Sequence, residues 1–145
     1  ALYAGLSATN LSRLQRTQNA AARIVTQSSR RSHASPILSD LHWLPVRARI
    51  KFKLATLTYK TLASGKPNYL NNLLIPYIPK RQLRSAFSSK LAVPCRKSAM
   101  AQSKSFSSSA VSVWNSLPHS VTSAGDLKTF RTLLKTHLFT DRQIY

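Results

Sequence analysis

The sequence is poor in acidic residues, and this shortage limits the chemistry that it can perform. Only 3 of its 145 residues are Asp or Glu, and none is Glu. Phosphoryl transfer by two metal ions needs carboxylates clustered around both ions. Asp40, Asp126 and Asp141 are far apart in the sequence, so only folding could bring them together. We therefore expect no such centre, and we interpret Asp126 as a helix cap.

Cysteine and glycine are also scarce. The single cysteine, Cys95, excludes an intramolecular disulfide and provides no metal-ligand pair. His33, His42, His119 and His137 do not follow zinc-ligand spacing. The 3 Gly residues form neither a phosphate-binding loop nor a Gly-x-Ser-x-Gly motif. The sequence thus predicts no catalytic residues, no metal site and no cofactor, and hence that the chain is not an enzyme on its own.

Long apolar runs are missing too. No run approaches the roughly 18 residues that a membrane span requires, and no secretory leader pattern is present. We therefore expect no membrane partner. The chain begins at Ala1 rather than at a methionine, and we expect it to be a fragment of a longer protein. Hydrophobic residues nevertheless make up 43%, which is enough for a folded core.

Positive charge is the strongest feature that is present. The 22 Lys and Arg residues give a net charge of +19, whereas a small soluble domain usually carries a charge of magnitude about 2 to 8. Such an excess repels itself unless an anionic partner lies against it. Phosphate backbones are the commonest partner of this kind, and lipid headgroups come second.

The hydrophobic pattern predicts a mainly α fold. We expect a small helical bundle with a long irregular Pro/Ser-rich middle segment and at most a short strand pair. Leu91–Val93 is a candidate for one short strand. The expected parts are 1–74, 75–105 and 106–145, with helices near 9–26, 36–41, 45–64, 106–117 and 124–139. Thr9 or Asn10 is the predicted N-cap of the first helix, and Pro36 the predicted first residue of the second.

The helix at 45–64 is apolar over a wide arc. One stripe contains Val46, Ile50, Leu54, Leu57 and Thr61, and a second contains Phe52, Ala55, Tyr59 and Leu62. A helix of this kind is expected to pack on two sides. Gly65 follows it and is suited to the left-handed conformation that ends many helices.

The last helix has separate apolar and basic faces. Its predicted core face contains Leu127, Phe130, Leu133, Leu134 and Leu138, and its basic face contains Lys128, Arg131 and Lys135. Ser123, with Asp126 three residues later, is the predicted N-terminal cap.

The basic residues form groups that are suited to phosphate contact. Because few acidic residues lie between them, we favour polyanion binding over ordinary solvated helix faces. The candidate nucleic-acid-binding residues are Arg13, Arg16, Arg23, Arg30, Arg31, Arg47, Arg49, Lys51, Lys53, Arg84, Lys128, Arg131 and Lys135. Most aromatic residues are better interpreted as core, and Tyr69 and Tyr77 are the least certain of these.

Several strings along the chain are specific enough to compare with known families. The most specific is Leu41-His42-Trp43-Leu44-Pro45 with its continuation to Ile50. The others are Leu14 to Val25, Phe52 to Lys60, Pro67 to Leu70, Leu83 to Ser85, Phe106 to Ala110, Trp114 to Pro118 and Phe130 to Leu138. Together they resemble the region downstream of the polymerase core in non-LTR (LINE-type, jockey-like) retrotransposon reverse transcriptases. The resemblance covers nearly the whole chain in order.

This resemblance implies the C-terminal, thumb or post-thumb part of an RNA-directed DNA polymerase. It also implies RNA or DNA and the upstream polymerase domain as partners, with nuclear and cytoplasmic locations. The family's Tyr-x-Asp-Asp motif and its endonuclease are missing from this sequence. Catalysis, with its Mg²⁺, would therefore belong to the parent protein.

Three other interpretations remain open. The chain could be a basic structural protein of a ribonucleoprotein such as a mitochondrial ribosome, because its acid-free start resembles a transit peptide. It could be a membrane-surface protein with basic amphipathic helices. It could also be a decayed transposon fragment with no function.

Overall fold

The fold is mainly helical, as predicted. The computed structural model describes residues 3–79, 89–95 and 105–140, and seven helices account for 64% of that part. They are α1 (Ala8–Val25), α2 (Ala34–Asp40), α3 (Val46–Ser64), α4 (Asn68–Asn71), α5 (Phe106–Ser116), α6 (His119–Thr122) and α7 (Leu127–Thr140). Most of the predicted irregular middle segment lies outside the described residues.

Helix α3 is the centre of the molecule. It contacts α1, α4, α5 and α7, which confirms the prediction that it packs on more than one side. Leu54, Ala55 and Thr61 of its predicted stripes are buried, whereas Leu62 is exposed. Gly65 ends the helix at φ 66° and donates its N–H to the carbonyl of Thr61 at 2.8 Å, so the predicted left-handed end is also confirmed.

The main core joins α3 to α5 and α7 through aromatic side chains. The Phe130 ring stacks on Tyr59, with centroids 4.4 Å apart, and lies 6.0 Å from the Trp114 ring. Leu134 and Leu138 extend the buried face of α7. Leu133 was predicted to be in this core, but it is 39% exposed. The reason is that it lies on the flank of the stripe formed by positions 130, 134 and 138.

Helices α1 and α2 form a smaller peripheral unit. Ala22, Ile37 and Leu38 are its buried residues, with Leu41 and Trp43 packed against them. The side chains of two glutamines attach α1 to the start of α3. Gln15 accepts the N–H of Val46 at 2.8 Å, and Gln18 donates to the carbonyl of Leu44 at 2.9 Å.

The predicted N-terminal cap or first residue is wrong for three helices. Helix α1 is capped by Ser7, whose hydroxyl accepts the N–H of Asn10, because a cap must precede the first turn. Helix α2 starts at Ala34, two residues before Pro36. Proline is tolerated at that position because the N–H groups of the first helical turn have no intrahelical acceptor. Helix α7 starts at Leu127 and is capped by Asp126, while Ser123 instead ends α6.

The predicted strand at Leu91–Val93 is reduced to one antiparallel bridge between Leu91 and Pro76 within the described residues. The carboxamide of Asn115 explains why no second strand is needed. It accepts the N–H of Leu91 at 2.9 Å and donates to the Leu91 carbonyl at 2.8 Å. The indole of Trp114 also donates to the carbonyl of Ser89 at 2.7 Å. Side chains of α5 thus satisfy backbone groups that a neighbouring strand would satisfy in a sheet.

Replacing Phe130 with alanine should remove the central aromatic contact. The ring is fully buried, and truncating such a phenylalanine costs about 3–5 kcal/mol. Urea unfolding followed by circular dichroism measures the loss. The matched control is L133A on the same helix, which should cost no more than about 1 kcal/mol. Equal losses in the two variants would contradict the proposed core.

Replacing Gly65 with alanine should test the end of α3. No atom lies within 4 Å of an added Cβ there, so the cost comes from the positive φ alone and should be about 1 kcal/mol. Gly125 is an equally open position without a positive φ. G125A should therefore be neutral or slightly stabilising in the same unfolding experiment. A neutral G65A would show that the helix ends in another way.

Candidate nucleic-acid interface

One exposed face of α3 carries a row of cations. Arg49, Lys53 and Lys60 are spaced by four and seven residues, which places them on one side of a helix. All three side chains are exposed. The Arg49 guanidinium is held in place, because its Nε donates to the Leu44 carbonyl at 2.9 Å and its Cζ lies 5.8 Å from the Trp43 ring centre.

Helix α7 presents a second row. Lys128, Arg131 and Lys135, the predicted basic residues of this helix, are exposed on a face that flanks its buried residues. The Arg131 Cζ lies 6.0 Å from the Phe52 ring centre on α3, and the Lys135 Nζ lies 5.8 Å from the ring centre of Phe139. Cation–π attraction thus holds both charged groups near the α3–α7 contact.

The two helices that carry these rows, α3 and α7, are antiparallel neighbours. The Tyr59 hydroxyl, near the end of α3, donates to the Ala124 carbonyl just before α7 at 2.9 Å. At the other end, the His42 ring before α3 lies 6.4 Å from the Phe139 ring near the end of α7. Lys60 lines a cavity of about 500 Å³ together with Leu127. We call the six residues Arg49, Lys53, Lys60, Lys128, Arg131 and Lys135 the α3–α7 surface.

A groove of about 630 Å³ lies between these helices. Three cations of the α3–α7 surface line it, namely Lys128, Arg131 and Lys135. Two partly buried rings, Phe52 and Phe139, also line it. None of the described residues that line this groove is acidic. The groove therefore combines positive charge with an apolar floor.

The carboxylate of Asp126 caps the start of α7. It accepts the backbone N–H groups of Lys128 and Thr129 at 3.0 and 3.2 Å. Hydrogen bonding from Thr129, through its side chain first and then its backbone, lowers the pKa of Asp126, and the backbone N–H and charge of Lys128 add to this. The negative charge thus stabilises the helix start that carries Lys128.

The basic stripe of α1 does not join this surface. Arg13 and Arg16 are exposed and, by helical geometry, lie away from the glutamines that attach α1 to α3. Arg23 was predicted to bind phosphate, but both Nε and Nη2 donate to the Ser32 carbonyl at 3.0 and 2.9 Å. Its guanidinium therefore holds the loop after α1, a backbone contact that residue spacing cannot indicate.

The predicted cations of α3 are divided between opposite faces. Arg47 and Lys51 are each two residues from Arg49, so they lie about 200° around the helix from it. Arg47 lines a cavity beside α1 and α2, and Lys51 lines another beside α5. Of the predicted group, we assign Arg49 and Lys53 to the α3–α7 surface, and both also line a cavity beside α1.

The remaining predicted cations lie elsewhere. Arg30 and Arg31 are exposed in the loop that Arg23 holds. Arg84 falls outside the described residues. Lys60 was not among the predicted residues, although its place seven residues after Lys53 continues the exposed row.

The aromatic residues mostly belong to the core, as predicted. Trp114 and Phe130 are buried, and Phe52, Tyr59 and Trp43 are partly buried. Tyr69 and Tyr77, the two uncertain cases, are 71% and 53% exposed.

Within residues 3–79, 89–95 and 105–140, no group of three or more His, Cys, Asp or Glu side chains could hold a metal ion. No helix in the described part of the chain has the length and hydropathy needed to cross a membrane. Comparisons of the chain with protein-family models, with curated proteins and with solved structures gave no match. We therefore infer the function from the residues and their geometry.

Lowering the pH should remove the stabilisation that Asp126 provides. The pKa of this group is lower in the folded protein than its ordinary value of 3.8. Its contribution is therefore complete above that value and is lost as the pH falls through the folded pKa. Thermal unfolding of the wild type and of D126N should differ near pH 6 and converge below pH 3.8. D40N, a change at an exposed carboxylate, is the control and should follow the wild type. A constant difference between wild type and D126N at every pH would contradict the cap.

Proposed function

We propose that this chain grips the phosphate backbone of nucleic acid through the α3–α7 surface. We further propose that it is a non-catalytic C-terminal, thumb or post-thumb part of a retrotransposon RNA-directed DNA polymerase. In that role it holds RNA or DNA during target-primed reverse transcription. The observation that carries the proposal is the juxtaposition of two exposed cation rows on packed antiparallel helices.

Electrostatics supports an anionic partner at this surface. Two like charges about 10 Å apart repel by about 0.4 kcal/mol in water before salt screening. Six cations on neighbouring helices make many such pairs, and the carboxylate of Asp126 lies beside two of them, Lys60 and Lys128. A phosphate between the rows replaces these repulsions by attractions and releases condensed counterions.

The residue types favour backbone contact over base reading. Exposed Lys and Arg side chains contact phosphate oxygens whatever the sequence. We therefore expect affinity that depends strongly on salt and weakly on base sequence.

The family resemblance supports the place of the chain in a larger protein. The string from Leu41 to Ile50 supplies Trp43 and Arg49, which lie in contact at the start of α3. The string from Phe130 to Leu138 supplies the buried face of α7 and its cation Arg131. In this proposal the polymerase chemistry and its Mg²⁺ belong to an upstream domain, and this part holds template, primer or target.

Salt titration tests the proposal. If about five phosphates are neutralised, the slope of log K against log salt should be about −4.5 for duplex DNA and about −3.5 for a single strand. Fluorescence anisotropy with a labelled oligonucleotide measures it. The double variant R131Q/K135Q should make the duplex slope shallower by about 1.8 and weaken binding of all sequences alike.

The matched control removes the same charge from another face. R13Q/R16Q also loses two exposed cations, but on α1, and should leave the slope unchanged. Equal effects of the two double variants would show that charge acts without a defined surface. Binding that is flat between low and high salt would refute the phosphate grip. Tighter binding to anionic vesicles than to RNA would favour a membrane-surface role.

A further inference from the structure

The groove between α3 and α7 contains more apolar surface than a phosphate ligand uses. Phe52 comes from α3 and Phe139 from the end of α7, and His42 lies edge-on to Phe139 with ring centres 6.4 Å apart. The two phenylalanines are only partly buried, although both pack against the main core. Their remaining exposed area forms the floor of an otherwise basic groove.

The cations over these rings form stacking positions. The guanidinium of Arg131 lies over Phe52 from the opposite helix. A guanidinium is planar, and its second face can accept a nucleobase. Lys135 covers Phe139 with a flexible stem, so its ammonium can move to a phosphate and leave the ring to a base. Charge and aromatic surface are therefore available within one groove.

From this arrangement we infer that the groove prefers single-stranded nucleic acid, with at least one unpaired base stacked against Arg131 and the Phe52–Phe139 floor. This inference rests on the proposed function, because the same cations hold the backbone. It goes beyond the proposed function because it specifies that the ligand is single-stranded. Stacking tolerates any base, since every base has a π face, so the preference concerns strandedness rather than sequence.

Duplex nucleic acid does not use the groove in this way. Its bases are stacked on one another and present only their edges in the grooves. A duplex could contact the outer cations, but its bases could not reach rings that lie between two packed helices. In a single strand, the bases are free to turn toward the groove floor while the phosphates meet the flanking rows.

An abasic oligonucleotide separates the contribution of base stacking from that of phosphate contact. The full chain is titrated with three labelled ligands of about 12 nucleotides, a length within known single-strand site sizes. These are a mixed-sequence single strand, the corresponding duplex and a single strand of abasic sugar-phosphate. We expect the natural single strand to bind about tenfold more tightly than the abasic strand, as one stacked base would give.

Two variants test whether the preference for the natural strand over the abasic strand arises in the groove. F52L/F139L keeps apolar side chains at both positions and should bring the ratio of natural to abasic affinity from about tenfold to about one. Y69L is the aromatic control, since Tyr69 is 71% exposed on α4, and it should retain the advantage. The wild-type comparison of natural and abasic strands does not depend on how well either variant folds.

The outcomes distinguish this inference from the proposed function. Equal affinity for natural and abasic strands would overturn base stacking and leave the phosphate grip in place. Tighter binding of the duplex than of the single strand would also overturn the inference. Failure to bind any of the three ligands at low salt would overturn the proposed function with it.

Discussion

The stacking of Phe130 between α3 and α5 is the contact on which the rest of the arrangement depends. Its ring lies 4.4 Å from Tyr59 and 6.0 Å from Trp114, so one side chain of α7 fixes the position of that helix against two others. Aromatic pairs of this kind contribute about 0.5–1.5 kcal/mol beyond their buried area. Because Arg131 follows Phe130 directly, the same contact decides where the cation row of α7 faces.

The aromatic core must offset the repulsion among the cations. A net charge of +19 destabilises a compact chain of 145 residues, and domains of this size are stable by only about 5–15 kcal/mol. A polyanion that binds only the folded chain adds about 2.7 kcal/mol at a concentration of 100 times its Kd. It also removes part of the repulsion. The proposed polyanion contact would therefore couple binding to folding more closely than in a neutral domain.

Much of the fold could be predicted because it depends on local patterns. The wide apolar arc of α3, the left-handed Gly65 and the two faces of α7 all follow from spacing within one helix. Other features depend on contacts between residues distant in the sequence. Asn115 replaces a strand partner for Leu91 through contacts 24 residues apart in sequence. Arg23 is held by the carbonyl of Ser32, and a backbone acceptor leaves no mark in the sequence.

The candidate surface could likewise be predicted only in part, because some of it depends on contacts between distant parts of the chain. Periodicity predicts one cation row on α7 and suggests another on α3, but it cannot show that the rows are adjacent. Their adjacency comes from antiparallel packing of helices more than 60 residues apart in the chain.

This difference also explains why α1 is the weaker candidate despite its regular arginine stripe. Its one buried residue is Ala22 and two glutamine side chains attach it to the start of α3, so its cations stand on a peripheral helix. The rows of α3 and α7 stand on the central core, where packed helices hold charged groups in fixed positions. A rigid pair of rows loses less conformational entropy when it meets a phosphate backbone, which favours the α3–α7 surface as the place of contact.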